Sequence, residues 1–267
     1  VKEFEGEPSQ LANADNFVLE IANVPGYLER LQAMKFVTFY PEMVEEVEIK
    51  VDKFINIWKF FKEFKEFHII LEYILACGNY LNGTSTRGGM YGFKLDSLEK
   101  AAELKPSAGK KTLLHYIIEK LYTEGKISLE DREVFEDLDI AARIPISQLN
   151  TDLADIKKGE KYITMAIAKN SSDPNDNIAF KMNPHLPIVQ ENVKNLEEKL
   201  AKADSEYQEF IKFIGENPKE TSEKIAEKLQ KFFFNCQKYR NEIEKSKIED
   251  EKKKLKESMN KPKPSSN

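Results

Sequence analysis

Residues 41–58 read Pro41-Glu42-Met43-Val44-Glu45-Glu46-Val47-Glu48-Ile49-Lys50-Val51-Asp52-Lys53-Phe54-Ile55-Asn56-Ile57-Trp58. Val44, Val47, Val51, Phe54, Ile55 and Trp58 recur at steps of three and four with charged residues between them, the spacing of a helix with one buried stripe. Pro41 is predicted to stand in the first turn, where a missing N–H removes no helical bond. Phe61, Phe64, His68, Leu71 and Leu75 prolong the spacing to Cys77, and Gly78 is expected to end the helix.

The same pattern recurs along the chain. Leu95, Leu98, Ala101 and Ala102 form a block stopped by Pro106; Leu113 to Tyr122 form another that ends at Gly125. Ser128-Leu129-Glu130-Asp131 reads as a helix start, with a hydroxyl cap and early acids. Pro145 marks a further break before a periodic segment to about Ala168. Beyond the polar loop at 170–176, Val193, Leu196, Leu200, Ala203, Tyr207 and Phe210 make a heptad-like seam. Ile225, Leu229, Phe232, Cys236, Tyr239 and Ile243 make a second one after Asn217-Pro218. These seams predict two long antiparallel helices at a shallow angle, joined near Gly215. No strand-period run of useful length interrupts them, so the fold class is all-α.

Composition agrees. The 267 residues are 33% charged and 40% hydrophobic, with only 11 glycines and 11 prolines, too few for a turn-dense β-sandwich. No apolar run approaches the roughly 20 residues that a membrane-spanning helix needs. The first residues carry no secretory pattern, and the absence of an initiator Met suggests a fragment. Cys77 and Cys236 fall in helical apolar patterns, as buried free thiols of a reducing compartment would. Trp58 reads as a core residue.

Catalytic and metal chemistry find no purchase. His68, His115 and His185 are scattered without the paired spacing of a zinc helix. Gly88-Gly89-Met90-Tyr91-Gly92-Phe93-Lys94 lacks the spacing and the Lys-Ser/Thr ending of a phosphate loop, and no nucleophile elbow is present. No catalytic residue, metal ligand or cofactor is therefore expected. The net charge of −5 argues against a general nucleic-acid binder. Locally the balance reverses: between Gly83 and Lys111, Arg87, Lys94, Lys100, Lys105, Lys110 and Lys111 face only Asp96, Glu99 and Glu103. Such an island reads either as a solvated face or as a docking patch for an acidic protein surface.

One connector stands out. Gly78-Asn79-Tyr80-Leu81-Asn82-Gly83 leads into Thr84-Ser85-Thr86-Arg87-Gly88-Gly89 and then Tyr91-Gly92-Phe93, longer than the roughly two to eight residues usual between helices. Its aromatic residues suggest a fixed shape packed on the helices, and Asn79 and Asn82 can offer amide donors and acceptors to backbone. A packed structural loop and a concave receptor for another segment fit it equally.

These residues carry a family resemblance. Leu71 to Asn82, then Arg87-Gly88-Gly89, then Gly92-Phe93-Lys94-Leu95-Asp96-Ser97-Leu98 resemble the signature of the formin homology-2 domain. Leu104-Lys105-Pro106-Ser107, Lys111 to Tyr116, Phe180-Lys181-Met182, Phe213-Ile214-Gly215-Glu216 and Phe232 to Tyr239 resemble its later landmarks, and Asn16 to Leu31 the stretch before the signature. The resemblance implies an elongated all-α bundle and an actin-assembly factor of the cytoplasm and actin cytoskeleton, whose ring dimers nucleate filaments and ride their barbed ends. It implies a partial domain over 1–260, with a post-like region at about 60–125, a helical bundle with long helices at about 126–250, and a disordered tail at 261–267. Gly78, Asn79, Tyr80, Leu81, Asn82, Gly92 and Phe93 would belong to the post that receives the partner subunit's N-terminal lasso. Lys105 matches the actin-contacting lysine, with Lys94, Lys110 and Lys111 beside it, although Glu103-Leu104 stand where the family usually has Asp-Thr. The lasso and early knob would precede Val1, so the isolated chain is expected to be monomeric or weakly associating. The alternative is an all-α scaffold with a formin-like core that does not bind actin.

Overall fold

The computed structural model describes residues 11–107, 109–130, 132–169 and 173–259. Among them the regular elements are all helices: α1 (Asn13–Asn23), α2 (Tyr27–Glu63), α3 (Lys65–Asn82), α4 (Asp96–Glu103), α5 (Leu113–Thr123), α6 (Arg132–Arg143), α7 (Ile146–Ala168), α8 (Ile178–Met182), α9 (His185–Phe213) and α10 (Ser222–Met259). No helix among the described residues is long and apolar enough to cross a membrane. The tail at 261–267 lies outside the described residues.

The helices fall into two compact units. One holds the chain up to Lys53 together with Ile146–Asp204; the other holds Phe54–Pro145 and the chain from Ser205 onward. In the first unit, Phe36, Tyr40, Val44, Val47 and Val51 of α2 are buried, as are Leu149, Leu153, Ile156 and Ile163 of α7 and Val189, Val193, Leu196 and Leu200 of α9. Gly159 lets α2 and α7 close together, since a Cβ there would lie 2.0 Å from the Phe36 ring. Arg30 ties the start of α2 to the α7–α8 connection through Asp176, at 2.6 and 2.8 Å.

The second unit is built on aromatic rings. Trp58 meets Tyr207 of α9 edge-on and lies tilted against Phe210, while Phe61, Phe64 and Phe67 meet Phe233 of α10. Each fully buried ring contributes about 2–3 kcal/mol of transfer free energy. Trp58 is fully buried and Cys236 likewise, its thiol pKa pushed well up by burial. α10 lies closest along α6 and also packs on α5 and α4. The α10 seam therefore finds its nearest neighbours among the shorter helices, and the last turns of the α9 seam find theirs on α2.

Three boundaries differ from expectation. Pro41 lies inside α2, which already starts at Tyr27, after Gly26 turns the chain at φ +65°. Loss of one interior bond there costs up to about 3 kcal/mol, outweighed by the continuous stripe of Ala33, Phe36, Tyr40, Val44 and Val47. The spacing expected to run unbroken to Cys77 is instead interrupted at Phe64, where ψ of 95° separates α2 from α3. Ser128 does not cap a helix. Its backbone N–H and hydroxyl both donate to Glu66, 2.7 and 3.1 Å away, and α6 begins only at Arg132.

Candidate docking site at the end of α3

Gly78 does not end α3. The helix continues four residues further to Asn82, so Gly78, Asn79, Tyr80, Leu81 and Asn82 form its last turn rather than a loop. A glycine inside a helix costs only about 1 kcal/mol, and the left-handed stop falls instead on Gly83, at φ +54°.

Continuing the helix aims the two asparagines at the loop beyond. Asn79 receives the Met90 N–H on Oδ1 and donates from Nδ2 to the Met90 carbonyl, both at 2.8 Å. This two-point clasp imitates a backbone pair. Asn82 donates to the Arg87 carbonyl at 3.2 Å, and the Gly88 N–H reaches the Ser85 carbonyl at 2.9 Å. Gly88 must be glycine, because a Cβ would lie 2.0 Å from the Gly83 carbonyl oxygen. The amides thus serve the backbone as their chemistry suggests.

The aromatic residues do not pack on the helices as expected. Tyr80 is 87% exposed and Tyr91 fully exposed, while Phe93 is half-buried. The loop's shape comes from the asparagine clasp and the glycines, which leaves the tyrosines free to face solvent. Between α3, the loop and α4 lies a cavity of about 650 Å³ that neither tyrosine lines; its lining includes Ile74, Leu75, Gly78, Leu81, Phe93, Leu104 and Leu113, together with the charged Arg87, Lys100, Glu103 and Lys105.

α4 and the segment after it supply the charge. Leu98 and Ala101 anchor α4 in the core. The Leu95 N–H donates to Glu216 at 2.6 Å, and Lys94 donates to the Gly215 carbonyl, which fastens the entry of α4 to the turn after α9. Two acids of α4 are met from α10, Asp96 by Lys228 at 2.8 Å and Glu99 by Lys231 at 3.8 Å, while Glu103 is exposed and makes no ion pair among the described residues. The Lys228 hydrogen bond holds the Asp96 carboxyl below its ordinary pKa. The Leu113 N–H to Leu104 carbonyl bond, 2.8 Å, closes the bend that displays Lys105 and Lys110.

The four lysines singled out in the sequence part company. Lys105 and Lys110 are exposed and make no ion pair among the described residues, as does Lys100. Lys111 is drawn back onto Glu119 at 2.7 Å, and Lys94 is committed to Gly215 and Glu216. Pairing inside the fold answers much of their charge, a consequence of partners that sequence proximity does not show. Glu216, Lys228 and Lys231, which hold the surface together, carry no local motif; only the Phe213-Ile214-Gly215-Glu216 landmark points to the first. No group of side chains among the described residues could hold a metal ion. His115 is buried against Tyr239, its pKa lowered first by burial and then by Lys111.

Comparison with known proteins gives this geometry a context. The family model described as Formin Homology 2 Domain matches residues 1–239. Formin-F of Dictyostelium discoideum is 28% identical over 228 residues, covering 85% of this chain and 19% of that protein. Disheveled-associated activator of morphogenesis 2 of Gallus gallus is 31% identical over 224 residues, 81% of this chain and 20% of that protein. Disheveled-associated activator of morphogenesis 1 of Homo sapiens is 29% identical over 220 residues, with the same shares. The chain spans about a fifth of the length of these relatives. With most of its length matched by that family model, this chain belongs to the formin homology-2 family.

Proposed function

We propose that this chain is an actin-binding module that contributes to filament nucleation and to elongation or capping at barbed ends. The observation that carries this reading is the exposed ridge of Lys100, Lys105 and Lys110 beside the clasped loop, where Asp96 and Glu99 are answered from α10 and Glu103 alone of the α4 acids is left to offset three lysines. Lysines left unpaired in this way are suited to steer and orient an acidic protein surface. Of the sequence candidates, Lys105 and Lys110 are the direct contacts, and Lys94 and Lys111 act by shaping the ridge.

The cavity between α3, the loop and α4 is proposed to receive a segment of a second subunit, which would cover its apolar lining of Ile74, Leu75, Leu81, Phe93 and Leu104. In a longer parent protein this supports a homodimer at work on the cytoplasmic actin cytoskeleton. The 267-residue chain alone self-associates weakly at most, and a stable dimer by light scattering would contradict that.

Elongation of pyrene-labelled actin from preformed seeds tests the main reading. The chain is expected to alter barbed-end growth, with at least about tenfold more of Lys105→Ala needed for the same effect. No effect of either protein would leave the second reading, a formin-like scaffold without actin binding. The internal pairing of Lys94 and Lys111 is the observation in its favour.

A further inference from the structure

The segment between α5 and α6 alternates in the manner of an extended strand: Ile127 and Leu129 are buried, whereas Ser128 and Glu130 are exposed. One carboxylate gathers its centre, while Glu130 is held by Arg240 and Lys126 by the Tyr73 hydroxyl, each at 2.8 Å. Glu66, in the first turn of α3, accepts the Ser128 N–H at 2.7 Å, the Ser128 hydroxyl at 3.1 Å and the Leu129 N–H at 2.9 Å. Leu129 is the only non-glycine residue with positive φ among the described residues, at 54°. That conformation costs a leucine about 1–2 kcal/mol, so the segment is sprung and Glu66 is its catch.

Ser128 is followed by Glu130, Asp131 and Glu133 in the sequence, acids two, three and five positions on. It is thus an exposed hydroxyl in irregular backbone, ahead of an acidic run. We propose that Ser128 is a phosphoacceptor for an acid-directed protein kinase, and that its phosphorylation releases the Glu66 catch. In the transfer, Ser128 Oγ attacks the γ-phosphorus of ATP, the bond to the β-phosphate oxygen breaks to release ADP, and the hydroxyl proton passes to the kinase's base. The product carries about −1.5 to −2 charges at the spot where a carboxylate now accepts the hydroxyl, and it has lost that donor. Repulsion between phosphate and Glu66 then frees the Ser128 and Leu129 amides and lets Leu129 leave its strained conformation. The proposal is independent of actin binding.

Ser246 supplies an internal control. It too has an acid three positions on, Glu249, but it lies within α10, where an extended kinase substrate cannot form without unwinding the helix. The chain would be incubated with a casein-kinase-2-type enzyme and magnesium ATP, the phosphate mapped by mass spectrometry, and amide exchange followed in modified and unmodified protein. Phosphate is expected on Ser128 ahead of Ser246, with exchange at Ser128 and Leu129 rising by about tenfold or more. In Glu66→Gln the catch is already weakened and the opposing charge removed, so phosphorylation should add much less. No phosphate on Ser128, modification of Ser246 in preference, or unchanged exchange in phosphorylated wild type would each overturn the proposal.

Discussion

The two ends of α3 solve the same problem in opposite ways. At the C-terminal end, Asn79 and Asn82 reach forward to Met90 and Arg87, no more than eleven residues on, and glycines supply the backbone freedom. At the N-terminal end, Glu66 reaches Ser128 and Leu129, more than sixty residues on, and holds a leucine where a glycine would sit more easily. The first arrangement is neutral, local and relaxed; the second is charged, distant and strained. A loop that keeps its shape through local bonds presents a stable surface to a partner. A turn gathered by one carboxylate can be loosened at Ser128 and Leu129 by one added charge, with Arg240 still holding the neighbouring Glu130.

That contrast predicts an order of sensitivities. Glu66→Ala removes an acceptor of three hydrogen bonds and leaves the half-buried Leu129 N–H without a partner, so stability should fall by about 2–3 kcal/mol in chemical unfolding. A change below 0.5 kcal/mol would show that the catch is not holding. Gly88→Ala forces a methyl onto the Gly83 carbonyl and should cost about 1–2 kcal/mol, with accelerated exchange confined to the loop at 83–92. Asn79→Ala loses two neutral, exposed bonds. It should lower stability by about 1 kcal/mol or less while weakening partner binding more than that figure suggests, since the loop then has to be ordered on contact.

The smallest effect belongs to Glu124, just before the sprung segment. Hydrogen bonds from Lys120 and then Lys126 hold its pKa at about 2. A depressed carboxyl stabilises the fold above its ordinary value of 4.5, and that contribution is lost as pH falls through about 2. The group lies at the surface, where solvent screens its pairs, so the consequence for stability is slight. An NMR titration should place its midpoint near 2, and a midpoint at the ordinary carboxylate value would show that the pairs do not persist in solution.

Much of this was legible in the sequence, and the remainder has physical reasons. Pro106, Gly125 and Pro145 mark ends of helices close to where α4, α5 and α7 place them, because proline and glycine act on the backbone locally. The amide chemistry of Asn79 and Asn82 was readable for the same reason. Gly78 and Pro41 misled because each imposes only a modest penalty that a long buried stripe overrides. Ser128 misled because the group that satisfies its N–H is far along the chain, and no local pattern records that. Exposure of Tyr80 and Tyr91 was equally out of reach: composition shows that a loop has rings, not which way they face. The lysines show the same limit, since Lys94 and Lys105 look alike until Gly215 and Glu216 draw one of them inward.

The exposed ridge is the part of the molecule on which the functional account stands, and reversing its charge is the most direct trial. Barbed-end growth of actin from preformed seeds would be followed with wild type and with the double variant Lys105→Glu, Lys110→Glu at low and physiological salt. The account predicts that wild type alters growth, more strongly at low salt, and that the double variant loses the effect while its thermal unfolding is unchanged. A double variant that acts on filament ends as wild type does would contradict it.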